Sequence, residues 1–189
     1  MSSDSILYGL VLAGGQSSRM GQDKSQLQWN GIPLHQHMAG ILNRAGVSQV
    51  MVSSNHLQGE EIISDKIPVR GPLSGIHAAL DKVSDGDFLL VVPVDMPLLP
   101  VSSLQRLAQQ KETYCYRGFT LPLLLIVSAD LRQRIDKNIH SENRSDYSLW
   151  KLHKALQGKT MVLPESMADA FSNANTPEDW QECLALGNT

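Results

Sequence analysis

Residues 10–24 read LVLAGGQSSRMGQDK. An apolar run from Ile6 to Leu12 stops at glycines, the pattern of a short parallel strand buried on both faces. Gly14 and Gly15 then leave the backbone bare where the strand ends, so a ligand can approach the amides closely. Consecutive N–H groups in such a turn form an anion cradle, and Arg19 and Lys24 add two cations suited to phosphate. Two other phosphate loops are excluded by spacing. GxxxxGK[ST] fails because five residues separate Gly15 from Gly21 and no lysine directly follows Gly21. GxGxxG fails because Gln16 stands at its second glycine position.

Outward from this stretch, strand-like and helix-like segments alternate. After Pro33, Leu34, Met38, Ile41, Leu42 and Ala45 recur at helical spacing, and Gly46 is placed as a C-cap. VMVSS (50–54) reads as a second strand, and a loop runs through Asp65 to GPLSG (71–75), where a short helix begins. FLLVVPV (88–94) has the composition of a central strand. Ser102 or Ser103 is expected to cap a helix reaching Gln110. TLPLLLIV (120–127) reads as a strand whose Pro122 predicts an edge position or a bulge. Leu149, Leu152 and Leu156 mark a helix, TMVL (160–163) a last strand, and Thr176-Pro177-Glu178-Asp179 a helix start. The alternation predicts an α/β fold, a three-layer Rossmann-like, mostly parallel sheet with helices on both faces. In such sheets ligands bind beyond the carboxyl ends of the strands, which is where the glycine turn falls.

Composition narrows the classes of function. The chain has 189 residues, 42% hydrophobic and 19% charged, with a formal net charge of −3. That length suits one domain (1–189). The acidic balance and a pI near 6.0 argue against a nucleic-acid or membrane-surface binder. Cys115 and Cys183 stand far apart, excluding a CxxC pair or zinc ribbon. The N-terminal MSSDSILYGLVLAGG lacks the basic region of a secretory signal and is too short to span a bilayer. A cytoplasmic protein is expected.

LAGGQSSRMGQDK resembles the signature LAGGxSxRMGxDK of the molybdenum cofactor guanylyltransferases, members of the MobA-like nucleotidyltransferases related to the enzymes that make nucleotide sugars. Further resemblances follow in order: GIPLHQH (31–37) to GxPLxxH, GPLSG (71–75) to GPLAG, PVDMP (93–97) to xCDxP, and NANTPEDW (173–180) to NxNTPEDL. They extend over nearly the whole chain and imply a nucleotide-binding half over about 1–100 and a pterin-binding half over about 101–189. The resemblance implies a nucleotidyltransferase fold, GTP and molybdopterin as substrates, Mg²⁺ as cofactor, and transient contact with proteins that deliver or receive the pterin.

Asp95 follows the apolar strand 88–94, so its carboxylate emerges at the edge that carries the glycine turn. A hard carboxylate beside a phosphate cradle suits Mg²⁺, which takes one or two carboxylates plus phosphate oxygens and water. The resemblance gives Asp95 the metal. It also implies nucleotide contacts from Leu12, Ala13, Gly14, Gly15, Lys24, Ser53, Asn55, Asp65 and Asp95, with Arg19, Lys24 and Asp95 as the catalytic set. At Asp65 an acceptor can take guanine N–H donors or ribose hydroxyls, and the sequence leaves both open. Ser53 stands where the family often has asparagine, and Leu121 where it often has histidine, so neither offers the family's polar group. Asn173 and Asn175 are turn formers by type and lie near the pterin by resemblance. His35 and His37 point to different helix faces and make a poor metal pair. His77, His140 and His153 have no partner at metal spacing, and no Ser-His-Asp or Cys-His constellation is visible.

The implied reaction transfers GMP from GTP to the terminal phosphate of molybdenum-molybdopterin. A CTP-dependent cytidylyltransferase is the near alternative, but that branch tends to read LAAG where this chain has LAGG. A non-catalytic nucleotide-binding module has no use for Arg19, Lys24 and Asp95 together.

Overall fold

The computed structural model of the chain describes residues 5–14 and 24–187. Its elements are β1 (Leu7–Leu12), β2 (Gln28–Trp29), β3 (Ile32–Pro33), α1 (Leu34–Ala45), β4 (Gln49–Ser53), β5 (Ile62–Ile63), α2 (Pro72–Ala79) and β6 (Phe88–Pro93). Then follow α3 (Val101–Ala108), β7 (Tyr114–Tyr116), β8 (Leu123–Ile126), α4 (Ala129–Ile139), α5 (Leu149–Ala155), β9 (Lys159–Met161) and α6 (Pro177–Gly187). A seven-stranded sheet has the order β5-β4-β1-β6-β8-β7-β9, and β2–β3 form a small separate hairpin. β1 lies parallel between β4 and β6, while β8 runs antiparallel to both of its neighbours.

β6 explains the layering. All six of its residues are buried, with Phe88, Leu90 and Val92 in one core cluster and Leu89 and Val91 in the other. Side chains alternate across a strand, so a strand apolar throughout needs a layer on each face. On the first face pack α1 through Met38 and Leu42, α3 through Leu104 and Leu107, and α6 through Trp180 and Cys183. On the second pack α2 through Leu73 and Ile76, α4 through Leu131 and Ile135, and α5 through Leu149 and Leu152. No described helix is long and apolar enough to cross a membrane.

The caps bear out two readings. Gly46 closes α1 at φ 97°, its N–H directed to the carbonyls of Leu42 and Asn43. At α6, Asp179 N–H donates to Thr176 Oγ1 (3.1 Å) and Thr176 N–H donates back to Asp179 Oδ2 (2.8 Å), a reciprocal capping box with aspartate in the carboxylate position.

Two expectations are corrected. Neither Ser102 nor Ser103 caps α3: the helix starts at Val101 after Pro100, and Ser103 Oγ donates to the Pro100 carbonyl (2.7 Å). Segment 120–127 is neither edge nor bulge, because β8 is flanked by β6 and β7. Pro122 precedes its first ladder residue, so the missing N–H costs no strand bond. β7 and α4 have no counterpart in the sequence reading.

Candidate functional site

From β1 the chain goes to β4 and β5 on one side, then crosses back to β6 on the other. A reversal of this kind opens a crevice at the carboxyl ends of the diverging strands. There a cleft of about 580 Å³ is lined by Leu12, Ala13 and Gly14 after β1, Ser53, Asn55 and Asp65 near β4, and Pro93, Val94 and Asp95 at β6. Lys24, His56, Pro68, Val69, Gly71, Pro72, Gly75 and Leu121 complete the described wall. Gly15 and Arg19 lie outside the described residues.

The floor is fixed by backbone. Ala13 N–H donates to the Ser53 carbonyl (2.9 Å), and Val94 N–H donates to the Leu12 carbonyl (3.1 Å). Helix α2 rests close on these strand ends because of Gly75. A Cβ there would stand 2.5 Å from Ser53 Oγ and 2.7 Å from Leu12 Cδ2, too near for any side chain without movement.

One end of the cleft holds a clamped carboxylate. Asp65 Oδ1 accepts from Ser53 Oγ (3.1 Å) and Oδ2 from Asn55 Nδ2 (3.1 Å), while Asp65 N–H donates to Asn55 Oδ1 (2.9 Å). Ser53, 2% exposed, thus aims its hydroxyl at Asp65. The serine hydroxyl so orients an acceptor.

The other end pairs opposite charges. Lys24 Nζ lies 3.5 Å from Asp95 Oδ2 and donates to Asn175 Oδ1 (2.8 Å). The Lys24 and Asp95 side chains are 13% and 23% exposed, so the pair is largely, not wholly, withdrawn from water. Ala174 N–H donates to the Asp95 carbonyl (2.8 Å), which binds the loop of Asn173 and Asn175 to the end of β6. Asn175 therefore joins the cleft through Lys24, and Asn173 is exposed beside it. The Thr176 and then the Asn175 backbone N–H groups hold the Asp179 carboxyl below the usual range, with a smaller contribution from Lys24.

The histidines of GIPLHQH are scaffolding. His35 Nδ1 donates to the Ser25 carbonyl (2.8 Å), beside Lys24. His37 Nε2 donates to the Pro97 carbonyl (2.8 Å) in the loop after Asp95, and its ring stands 5.1 Å from that of Trp29. Burial lowers the His37 pKa, favouring the neutral ring. A Cys-His contact does form: Cys115 Sγ lies 3.5 Å from His153 Nε2. The strands and helices around it bring together residues 38 apart, which sequence spacing cannot show. Burial pushes the Cys115 thiol up to about 11, so it is no nucleophile.

Leu121, discounted in the sequence for want of a hydrogen-bonding group, supplies apolar wall. Val69 and Pro68 were missed altogether. Val69 adopts φ 64°, a conformation a β-branched residue does not advertise. Among the described residues no group of three or more His, Cys, Asp or Glu is placed to hold a metal. The Asp95 carboxylate faces the cleft, and one hard carboxylate completed by phosphate oxygens and water is an ordinary Mg²⁺ donor set.

An open, mostly parallel sheet with a charged cleft at its switch point defines an α/β protein of the nucleotide-binding class. The chain belongs to the MobA-like NTP transferase family, whose domain model matches residues 9–159. It is 38% identical over 178 residues to a molybdenum cofactor guanylyltransferase of Xanthomonas euvesicatoria pv. vesicatoria, covering 93% of each chain. To the molybdenum cofactor guanylyltransferase of Serratia proteamaculans it is 33% identical, covering 96% of this chain and 98% of the relative. Among solved structures it superposes on Rv0371c of Mycobacterium tuberculosis with TM-score 0.72 at 16% identity, covering 97% and 100% of the two chains. On the molybdopterin-guanine dinucleotide biosynthesis protein A of Archaeoglobus fulgidus the TM-score is 0.71 at 18% identity, covering 96% and 98%. These structural likenesses concern the fold.

Proposed function

We propose that the chain transfers GMP from GTP to the terminal phosphate of molybdenum-molybdopterin, releasing pyrophosphate. The observation that carries the reading is that one cleft holds both an oriented acceptor, Asp65, and a pair of opposite charges, Lys24 and Asp95. A nucleoside triphosphate has the matching polarity. The kinship with guanylyltransferases supports GTP over CTP.

In this mechanism Leu12, Ala13, Gly14 and Gly15 offer backbone to the nucleoside, and Asp65, oriented by Ser53 and Asn55, accepts from guanine N–H donors or ribose hydroxyls. Arg19 and Lys24 bind the triphosphate, Lys24 exchanging its Asp95 and Asn175 partners for phosphate oxygens. Asp95 would hold Mg²⁺, which would neutralise phosphate charge there. An oxygen of the pterin phosphate attacks the α-phosphorus in line, the bond to the bridging oxygen of pyrophosphate breaks, and a new phosphoanhydride forms. The nucleophile is already an anion, so no general base is required. The protein's contribution is positioning and preorganised charge. Asn173 and Asn175 border the pterin side.

The test measures pyrophosphate release from molybdenum-loaded molybdopterin with GTP and CTP side by side, with and without Mg²⁺. Mg²⁺-dependent release with GTP and little with CTP is expected. A preference for CTP would move the chain to cytidylyl transfer, and no release from folded protein would overturn the reading.

A further inference from the structure

The loop ahead of α2 carries a side chain in an unusual state. Val69 is 74% exposed, lines the cleft and holds φ 64°. Left-handed backbone is unfavourable for a β-branched residue, and such a conformation persists only where its surroundings impose it. Here they do. Ser74 Oγ donates to the Ile67 carbonyl (2.7 Å) and accepts from Arg70 N–H (3.2 Å), closing the loop around Val69. Arg70 is in turn fixed outward, Nε donating to the Ile139 carbonyl (3.1 Å) and the guanidinium 4.8 Å from the centre of the Tyr147 ring. The chain is thus anchored at Ile67 and Arg70, on either side of Val69, and presents an isopropyl group to solvent in the cleft, four residues beyond Asp65.

We propose that Val69 is the apolar contact for one face of the nucleobase, a specificity residue of the nucleotide site. The inference rests on the reading of that cleft as a nucleotide site. A heteroaromatic base has a polar edge and apolar faces. Asp65 answers an edge, and among the described aliphatic side chains lining the cleft, proline aside, Val69 is the most exposed, Leu12 and Leu121 being half-buried. Covering that valine on binding is worth about a tenfold change in affinity. The fold keeps it exposed at the cost of strained backbone.

The test is calorimetric titration of the full chain with GTP and, separately, with tripolyphosphate, which has no base. Val69→Gly and Val69→Ala are expected to weaken GTP about tenfold and about fivefold while leaving tripolyphosphate unchanged, and Val69→Ile to keep wild-type affinity for both. Wild-type GTP affinity in the glycine and alanine variants would overturn the nucleobase contact alone. Equal weakening of both ligands would also overturn it, by showing that the loop as a whole had been disturbed. Failure of the wild-type chain itself to bind GTP would sink the nucleotide reading, and this proposal with it.

Discussion

Lys24 is the residue on which the cleft turns. Asp95 at 3.5 Å balances its ammonium and Asn175 at 2.8 Å accepts from it. In the proposed reaction Lys24 exchanges these partners for phosphate oxygens, whose growing charge it would then offset. Lys24→Ala and Asp95→Ala are each expected to lower kcat by about 10²–10³-fold, read as pyrophosphate release by purified protein with an unchanged melting curve. Near-wild-type turnover would remove both residues from the reaction. Asp65 calls for a different outcome, since it is oriented by Ser53 and Asn55 at the acceptor end. Asp65→Asn turns one acceptor oxygen into a donor, so the KM for GTP is expected to rise about tenfold or more with a smaller change in kcat. A KM that stays put would take Asp65 off the nucleotide.

At the scale of elements, the decisive fit is α2 on the ends of β1 and β4. A methyl at Gly75 would overlap Ser53 Oγ at 2.5 Å and Leu12 Cδ2 at 2.7 Å, so the helix must lift or Ser53 must turn away from Asp65. Gly75→Ala is expected to destabilise by roughly 1–3 kcal/mol through overpacking, seen as a lower urea midpoint, and to weaken GTP binding as well. Undisturbed stability would mean that the strand ends yield readily. The start of α6 brings a pH dependence. Asp179 has its folded pKa below the ordinary carboxylate value because the Thr176 and Asn175 N–H groups favour the charged form. Its contribution is therefore fully present above about pH 4 and is lost as pH falls through the folded value. Asp179→Asn should lower the melting temperature at neutral pH and narrow its gap from wild type as the pH drops below 4. A gap independent of pH would deny the charge a role. Elements with a local cause were legible in the sequence: β1 and β6 as apolar runs, α1 by its spacing and Gly46, and α6 by its cap. What hid was non-local. β7 is three residues long, and the reversed direction of β8 follows from its pairing with β6 and β7. The Asp65 clamp joins residues 10 and 12 apart through loops, beyond any periodic pattern.

Across the whole molecule, the cleft is built from both ends of the sequence. Lys24 and Asn175 are 151 residues apart and share a hydrogen bond, and Ala174 N–H holds the backbone of Asp95. The motif NANTPEDW (173–180) is conspicuous by type, yet its link to Lys24 exists only once α6 packs Trp180 against Trp29, rings 5.7 Å apart. That hairpin tryptophan sits between Lys24 and α1, so one packing contact seats the C-terminal loop beside the charged end of the cleft. Asn175 then acts partly by aiming Lys24, and this arrangement has a measurable consequence. Contacting residues of one network give non-additive effects, whereas independent ones multiply. Asn175→Ala is expected to reduce kcat/KM for GTP by about tenfold in the wild-type background, the scale of one lost hydrogen bond to a charged group. In the Lys24→Ala background the same substitution should cost about threefold or less, because the side chain it orients is already gone. Measuring GTP at saturating pterin, and then pterin at saturating GTP, separates the two ends of the reaction. A full tenfold loss in both backgrounds, confined to the KM for the pterin, would assign Asn175 to the acceptor substrate alone and leave Lys24 positioned by Asp95.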